Sequence, residues 1–393
     1  MIFAARIVAR ELGSKSFLSS PAGRFVLAGG ASEVGGTPKR PKDLRKRIEW
    51  EVVQNVPLRI PILESAAAWD VGVGWNVPLL SDSHEVFLAG KGFFARSKYR
   101  SPKTREQDGP RVRRLENWFR KRGIPVLHVL PPSRLRPSDP MFSNVFDFTE
   151  EQHAILAAAS ASNGVPVLDL ALEAERDGLD PRTMFFATDH HFNGETAHWA
   201  ATAIAARLAD LGFAKGFGPD PPAGSAWSET PAVPFLGFMG KKKTRIPCQP
   251  DSISFPQLSS PGSYSFDRED FRGRRTHAEG DFSILLDRGK ASGTGSLYRD
   301  NPYDAFSHGS GRFVSIRNND LPDAPRILFF ADSFDNAILV FLAARCAEVA
   351  SVDGRNGDVD LSAVVREGRF DAAVLLSYNP PNSRQLSCLD PAK

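Results

Sequence analysis

Short apolar segments that alternate with helical patterns constrain the fold of this chain more than any other feature. Each apolar segment is bounded by glycine, proline or polar residues, as buried strands are. The helical patterns between them carry their apolar residues on one face. Strands that alternate with helices form a parallel sheet covered on both faces, so the sequence predicts an α/β fold. The predicted strands are 124–130, 165–170, 326–330 and 372–378, and the predicted helices are 112–119, 149–161, 193–211, 336–347 and 361–367.

The chain of 393 residues is long enough for two or three structural units. Residues 1–80 mix basic clusters with glycine- and proline-rich turns, which predicts an N-terminal extension that is partly disordered. Residues 81–214 and 322–393 carry the strand–helix alternation and are predicted to form one split α/β domain. Residues 215–321 between them are rich in Pro, Gly, Ser and Phe, with alternating runs such as 281–286. We interpret this segment as an insertion that is mostly β or irregular.

Charge, cysteine content and hydropathy exclude several classes of protein. The net charge of +3 is too small to indicate a nucleic-acid partner. Cys248, Cys346 and Cys388 lie far apart and show no spacing typical of a zinc site or a disulfide framework. No segment approaches the roughly 20 apolar residues that span a bilayer. Arginines interrupt residues 1–10, which make a poor secretion signal, so the sequence taken literally predicts a soluble chain that is not exported.

Two short segments carry the residue types of an acyl-transfer site. Asp189 and His191 stand two positions apart after a predicted strand, so in an extended segment they point the same way and His190 points away. Ser333 follows another predicted strand, where a helix begins and where open α/β sheets bind ligands. Asp332 is interpreted as the cap of that helix. A hydroxyl, a base to take its proton and a carboxylate to hold the base are the parts of a nucleophilic site.

These segments resemble the SGNH/GDSL hydrolase superfamily, and within it the alginate O-acetyltransferase (AlgJ/AlgX-like) and DHHW-protein branch. Residues 188–192, Thr-Asp-His-His-Phe, resemble the Thr-Asp-x-His-Trp segment of that branch. Residues 331–334, Ala-Asp-Ser-Phe, resemble its Gly-Asp-Ser-Phe segment. Weaker similarities lie at residues 90–94, 129–134 and 352–355. The resemblance covers roughly residues 84–390.

The resemblance implies a three-layer SGNH-like (flavodoxin-like) sheet and transfer of acetyl groups to exopolysaccharide outside the cytoplasm, in the periplasm. It implies Ser333 as nucleophile, His191 as general base and then acid, and Asp189 as the group that orients His191. The expected partners are a polysaccharide acceptor and a membrane O-acyltransferase that delivers the acetyl donor, and no cofactor is expected. In two places the chain departs from the pattern: Ala331 replaces glycine and Phe192 replaces tryptophan.

These departures motivate an alternative, a catalytically degenerate protein of the same fold that binds or assembles polysaccharide. Three further residues are candidates for the oxyanion site or for substrate binding. Arg355 either reaches the site or forms a surface ion pair with Asp353, whereas Tyr378 and Asn379 close the last predicted strand at the same sheet edge. A metal site is a weaker interpretation of the Asp-His-His triplet, because the further aspartates of metal-dependent phosphoesterases are not found.

Overall fold

The structure is a computed structural model that describes part of the chain. It describes residues 79–81, 84–89, 93–97, 106–133, 149–180, 183–219, 227–242, 250–259, 262–292, 300–356, 359–376, 381 and 385–389. Nearly all of the predicted N-terminal extension lies outside these residues, and so do Tyr378 and Asn379.

The secondary structure alternates between strands and helices as the sequence predicts. The strands are β1 Leu79–Ser81, β2 His84–Ala89, β3 Phe93–Ser97, β4 Val126–Leu130, β5 Val167–Asp169, β6 Trp227–Glu229, β7 Val233–Phe235, β8 Asp251–Ile253, β9 Pro256–Leu258, β10 Tyr264–Glu269, β11 Arg275–Gly280, β12 Phe313–Asn318, β13 Arg326–Ala331, β14 Glu348–Val352 and β15 Ala372–Leu376. The helices are α1 Asp108–Arg120, α2 Thr149–Ser162, α3 Leu170–Arg176, α4 Gly194–Asp210, α5 Phe238–Lys242, α6 Arg288–Ala291, α7 Asp335–Ala343 and α8 Leu361–Gly368. Short 3₁₀ turns are Phe282–Leu285, Pro302–Ala305, Gly354–Asn356 and Gln385–Leu389.

A central sheet of eight strands organises the molecule, in the order β11-β10-β12-β14-β13-β15-β4-β5. The strands from β14 to β5 pair in parallel, whereas β10, β11 and β12 pair antiparallel. The predicted α/β class with a mostly parallel sheet is therefore confirmed. Strand β15 enters between β4 and β13, so the carboxyl end of β13 lies beside that of β15.

Helices cover both faces of this sheet. Helices α4 and α7 pack on one face, in a hydrophobic cluster that includes Phe329 and Ala331 of β13. Helices α1 and α8 pack on the other face, in a cluster that includes Leu328 and Phe330 of the same strand. Because side chains alternate along a strand, burial on both faces explains why β13 is apolar throughout. No helix among the described residues is long and apolar enough to cross a membrane.

The structure refines two local predictions. The alternating run 281–286 lies in the segment expected to be mostly β or irregular, and it forms the 3₁₀ turn Phe282–Leu285 because the Asp281 carboxylate accepts a hydrogen bond from Ser283 N (2.9 Å) and starts the turn. The predicted strand 165–170 ends at Asp169, whose carboxylate accepts from Ala171 N (2.8 Å) and Leu172 N (3.3 Å). The chain therefore turns directly into helix α3 at Leu170.

Candidate active site

Three side chains predicted from the sequence meet at the carboxyl edge of the central sheet. His191 Nδ1 lies 2.6 Å from Asp189 Oδ1, and His191 Nε2 lies 2.8 Å from Ser333 Oγ. Asp189 and His191 are 1% and 7% exposed, whereas Ser333 is half-buried. With a proton on Nδ1 that Asp189 accepts, Nε2 of the neutral ring is free to accept the Ser333 hydroxyl proton. The arrangement has the geometry of a Ser-His-Asp triad.

A tight turn presents Asp189 and His191. Phe185 and Phe192 pair in an antiparallel bridge that closes the turn at its base, and Asp189 N donates to Phe186 O (3.3 Å). The segment is therefore not extended, and His190 does not point away as expected. Its ring lies 4.0 Å from the ring of His191, and its Nδ1 lies 3.4 Å from Asp189 Oδ1.

Ser333 sits in the connection between β13 and α7. Asp332 Oδ1 accepts a hydrogen bond from Phe334 N (3.2 Å), and Asp335 N donates to Asp332 O (3.2 Å). The N-cap residue of α7 is Phe334, which makes no side-chain cap. Asp332 therefore closes the turn that carries the Ser333 hydroxyl, just before the helix. The N-cap position that the sequence interpretation gave to Asp332 is occupied by Phe334.

The fold accommodates both departures from the family pattern. Ala331 is 1% exposed and belongs to the cluster under α4 and α7, so its methyl group packs into the core. Phe192 is also 1% exposed, and its ring contacts those of Phe185 and Phe334, each at a centroid distance of 5.3 Å. Phe192 thus fills an apolar position behind the imidazole-bearing turn.

The segment 215–321, which the sequence analysis interprets as an insertion, contacts the second oxygen of the Asp189 carboxylate. Phe238 N, at the start of α5, donates to Asp189 Oδ2 (2.5 Å). Gly237 lies so close that an added Cβ would overlap Asp189 and come within 2.6 Å of Thr188 O. Both carboxylate oxygens of Asp189 are therefore held, Oδ1 from its own turn and Oδ2 from the insertion.

Asp251 of β8 anchors the same turn one residue earlier. Its carboxylate accepts hydrogen bonds from Ala187 N (2.6 Å), Thr188 N (2.7 Å) and Thr188 Oγ1 (2.5 Å). Gly237 N in turn donates to Thr188 Oγ1 (2.8 Å). No sequence motif marks Gly237, Phe238 or Asp251, because no local pattern links them to residues 49 to 64 positions earlier.

The surroundings of Asp189 keep it ionised. Burial by itself would raise the pKa of this carboxyl, but the neighbouring His191 and His190, the hydrogen bond from His191 and the Phe238 N–H outweigh burial. The pKa of Asp189 therefore lies well below its ordinary value. An ionised carboxylate at this position holds the Nδ1 proton of His191 and stabilises an imidazolium.

Arg355 lies near the same sheet edge, after β14. Its Nε donates to Asp353 Oδ2 (2.7 Å) and Oδ1 (2.9 Å), and its guanidinium lies 5.9 Å from the ring centre of Phe271. Although burial opposes the charge, these bonds and the charge of Asp353 raise the pKa of Arg355. The ion pair considered from the sequence is thus present, while 43% of the Arg355 side chain stays exposed.

The Asp-His-His triplet also has the donor types of a metal site. One ligand atom from each of Asp189, His190 and His191 lies within 4.8 Å of the others. Both ring nitrogens of His191 are, however, already in contact, Nδ1 with Asp189 and Nε2 with Ser333. The geometry therefore favours a hydrogen-bonded relay over metal ligation at these residues.

Part of the chain is similar to a known protein family. Residues 91–239 match a family model described as "SGNH hydrolase-like domain, acetyltransferase AlgX". This range contains Asp189 and His191 and ends before Ser333. No curated protein is significantly similar to the chain.

Three solved structures align with most of this chain at low sequence identity. PatB1 of Bacillus cereus, in a structure with a sulfonyl adduct, aligns with a TM-score of 0.62 at 16% identity, over 77% of this chain and 97% of that chain. A DHHW family protein from Eubacterium siraeum aligns with a TM-score of 0.50 at 16% identity, over 79% and 95% of the two chains. The O-acetyltransferase domain of Pseudomonas putida AlgJ aligns with a TM-score of 0.41 at 14% identity, over 77% and 92%. The family match and the first two structures confirm the predicted resemblance and the SGNH-like fold.

Proposed function

We propose that this protein is a serine-dependent O-acetyltransferase or acetylesterase that acts on a cell-surface polysaccharide through an acyl-enzyme. The observation that carries the proposal is the hydrogen-bonded chain from Asp189 through His191 to Ser333, at 2.6 and 2.8 Å. Such a chain makes a serine hydroxyl nucleophilic, because the proton it loses has a base within reach. The family match to an acetyltransferase model supports an acetyl group as the acyl group transferred.

The first half of the reaction forms the acyl-enzyme. Ser333 Oγ attacks the carbonyl carbon of the acetyl donor while its proton passes to His191 Nε2. Asp189 stabilises the imidazolium that results. The tetrahedral intermediate then expels the donor oxygen, which takes the proton from His191 as it leaves, and the acetyl group remains on Ser333.

The second half transfers the acetyl group to the acceptor. A sugar hydroxyl loses its proton to His191 Nε2 as its oxygen attacks the acetyl carbon on Ser333. Collapse of the second tetrahedral intermediate returns the proton to Ser333 Oγ and releases the acetylated sugar. Water in place of the sugar hydroxyl gives hydrolysis, so the outcome depends on how well the acceptor excludes water from the site.

The negative oxygen of each intermediate requires hydrogen-bond donors. Ser333 N–H at the start of α7 is one candidate donor, because the exposed N–H groups of a helix N-terminus favour negative charge. Asn379 and Tyr378 are further candidates that lie outside the described residues. They follow β15, whose last residue Leu376 pairs with Ala331 at the base of the Ser333 turn.

Substrate, partner and compartment come from the resemblance. We propose a polysaccharide acceptor, an acetyl donor delivered by a membrane O-acyltransferase, and a location outside the cytoplasm. Arg355 is proposed to contact the acceptor, because its side chain is partly exposed at the edge where β13 and β14 end.

Serine-directed labelling tests the proposal directly. A sulfonyl fluoride should modify Ser333, located by mass spectrometry, since it reacts with hydroxyls that a neighbouring base activates; the PatB1 structure bears a sulfonyl adduct. Ser333→Ala and His191→Ala should abolish both labelling and hydrolysis of 4-nitrophenyl acetate. The matched control is Ser254→Ala, which removes a hydroxyl bonded to Glu229 in the insertion and should leave both unchanged.

The same experiment decides between an enzyme and a degenerate binding protein. A protein that only binds or assembles polysaccharide would retain affinity for the glycan but would show no labelling at Ser333. Undiminished ester hydrolysis by Ser333→Ala would remove this hydroxyl from the mechanism.

A further inference from the structure

An aromatic ring from the insertion lies against the imidazole of the triad. Tyr303 stacks on His191 with a centroid distance of 4.2 Å and an interplanar angle of 15°. Tyr303 is 1% exposed and its ring also contacts those of Phe186 (6.3 Å) and Phe306 (5.7 Å). One face of the imidazole is therefore covered by a ring that cannot easily move.

The same side chain reaches the segment that bears the nucleophile. The Tyr303 hydroxyl donates a long hydrogen bond to Ser333 O (3.4 Å). Tyr303 thus contacts both His191 and the backbone of Ser333, which belong to segments 142 residues apart. The side chain links the two halves of the triad.

The backbone a few residues after Tyr303 is strained. Ser307 (φ 50°) and His308 (φ 57°) adopt the left-handed conformation in succession, followed by Gly309 (φ 79°). Non-glycine residues enter this region at an energetic cost, and such strain clusters at functional sites.

Hydrogen bonds hold this strained turn in place. Ser307 Oγ donates to Asn336 O of α7 (2.8 Å), and His308 Nε2 donates to Ile284 O (2.8 Å). Ser307 N donates to Leu285 O (3.0 Å). The turn is therefore tied both to helix α7, which follows the nucleophile, and to the 3₁₀ turn Phe282–Leu285.

We propose that Tyr303 is a positioning residue of the reaction, which holds the His191 ring in line between Asp189 and Ser333 and stabilises its protonated form through the face of the phenol ring. This inference rests on the proposed function, because it assigns a role within the same triad. The negative face of an aromatic ring attracts a cation that lies over it within about 6 Å. The imidazolium exists only after the proton leaves Ser333, so the attraction acts on the charged intermediate more than on the resting enzyme.

Tyr303 does not act as a base or an acid in this scheme. Burial and the charges of Asp189, Asp335, Asp304 and Asp332 raise the pKa of its hydroxyl well above the ordinary value of 10. The phenol stays neutral, and its contribution comes from the ring and from the bond to Ser333 O.

Three variants test the inference. Tyr303→Phe keeps the ring and removes the hydroxyl; Tyr303→Leu removes the ring. Tyr264→Leu is the matched control, because Tyr264 is 2% exposed in the same hydrophobic cluster and packs on Phe282. Should Tyr303→Leu fail to fold, Tyr303→Met, which is longer and flexible, takes its place.

Two measurements are made on each variant. The first is kcat and KM for 4-nitrophenyl acetate. The second is the downfield proton NMR signal of His191 Nδ1–H in the resting enzyme, which reports the bond to Asp189 and needs no turnover.

We expect Tyr303→Leu to lower kcat about tenfold or more with KM changed less than about threefold, and to broaden the downfield signal. Tyr303→Phe should keep kcat within about threefold of the parent value. Tyr264→Leu should leave kcat and the downfield signal near the parent values. Unchanged kcat and an unchanged signal in folded Tyr303→Leu would overturn the inference, and so would an equal loss in Tyr264→Leu. Failure of the proposed function looks different: Ser333→Ala would then retain activity while the signal of the Asp189–His191 bond remained.

Discussion

The substitution Gly237→Ala should impair catalysis without replacing Asp189, His191 or Ser333. A methyl group at position 237 would overlap Asp189 Cβ and come within 2.5 Å of Asp189 Oδ2 and 2.6 Å of Thr188 O. These atoms belong to the backbone and to a short carboxylate, so no flexible side chain can move aside. The segment that bears Gly237 and Phe238 must therefore withdraw from Asp189.

The cost follows from the bond that this withdrawal breaks. Phe238 N donates to Asp189 Oδ2 at 2.5 Å, and Asp189 is 1% exposed, so this hydrogen bond lies away from solvent. A hydrogen bond to a charged group contributes about 1.5–3 kcal/mol. If the interaction of Asp189 with His191 stabilises the transition state less by that free energy, kcat falls about 10- to 150-fold. KM should change little, because the carboxylate does not contact substrate in this scheme.

The assay compares kcat and KM for 4-nitrophenyl acetate in Gly237→Ala and in a matched glycine variant. Gly194→Ala is the control, because an added Cβ there meets no atom within 4 Å at the start of α4. Thermal unfolding by circular dichroism shows whether each variant is folded at the assay temperature. A folded Gly237→Ala protein with unchanged kcat would refute the reasoning, since the insertion would then not support the carboxylate.

Three further predictions concern other residues. Asp189→Asn should lower kcat by roughly 10³–10⁴-fold, because an amide can present a donor to His191 Nδ1 and favour the wrong tautomer; ester hydrolysis measures it. Burial lowers the pKa of His128 from 6.5 to about 4, so only the unfolded chain takes up this proton between those pH values. Because of this residue, the free energy of unfolding should therefore fall by about 3 kcal/mol as the pH drops through that window. Urea titrations of His128→Gln should show a smaller fall in the free energy of unfolding over the same pH range. Arg355→Ala should raise KM for a polysaccharide acceptor about tenfold while hydrolysis of 4-nitrophenyl acetate changes less than about threefold; equal loss on both substrates would contradict an acceptor role.

The strands of the parallel sheet were predictable because burial on both faces leaves a continuous apolar signal. Leu328 and Phe330 face one hydrophobic cluster and Phe329 and Ala331 face the other, so no polar residue is tolerated in the run. Helix α4 was equally predictable, since the Asn193 side chain caps it by accepting a hydrogen bond from Thr196 N (2.9 Å). The antiparallel strand β11 carries a weaker signal, because most of its side chains face water.

The sequence alone determined the strand–helix alternation, the resemblance to the SGNH acetyltransferase branch and the identities of Ser333, His191 and Asp189 as candidates. Only the tertiary structure decided that their atoms meet, that Gly237 and Phe238 close on the carboxylate, and that Tyr303 covers the imidazole. The physical reason is the range of the interactions. Local patterns show which side chains face the core. A hydrogen bond between positions 142 apart depends instead on how every intervening element packs.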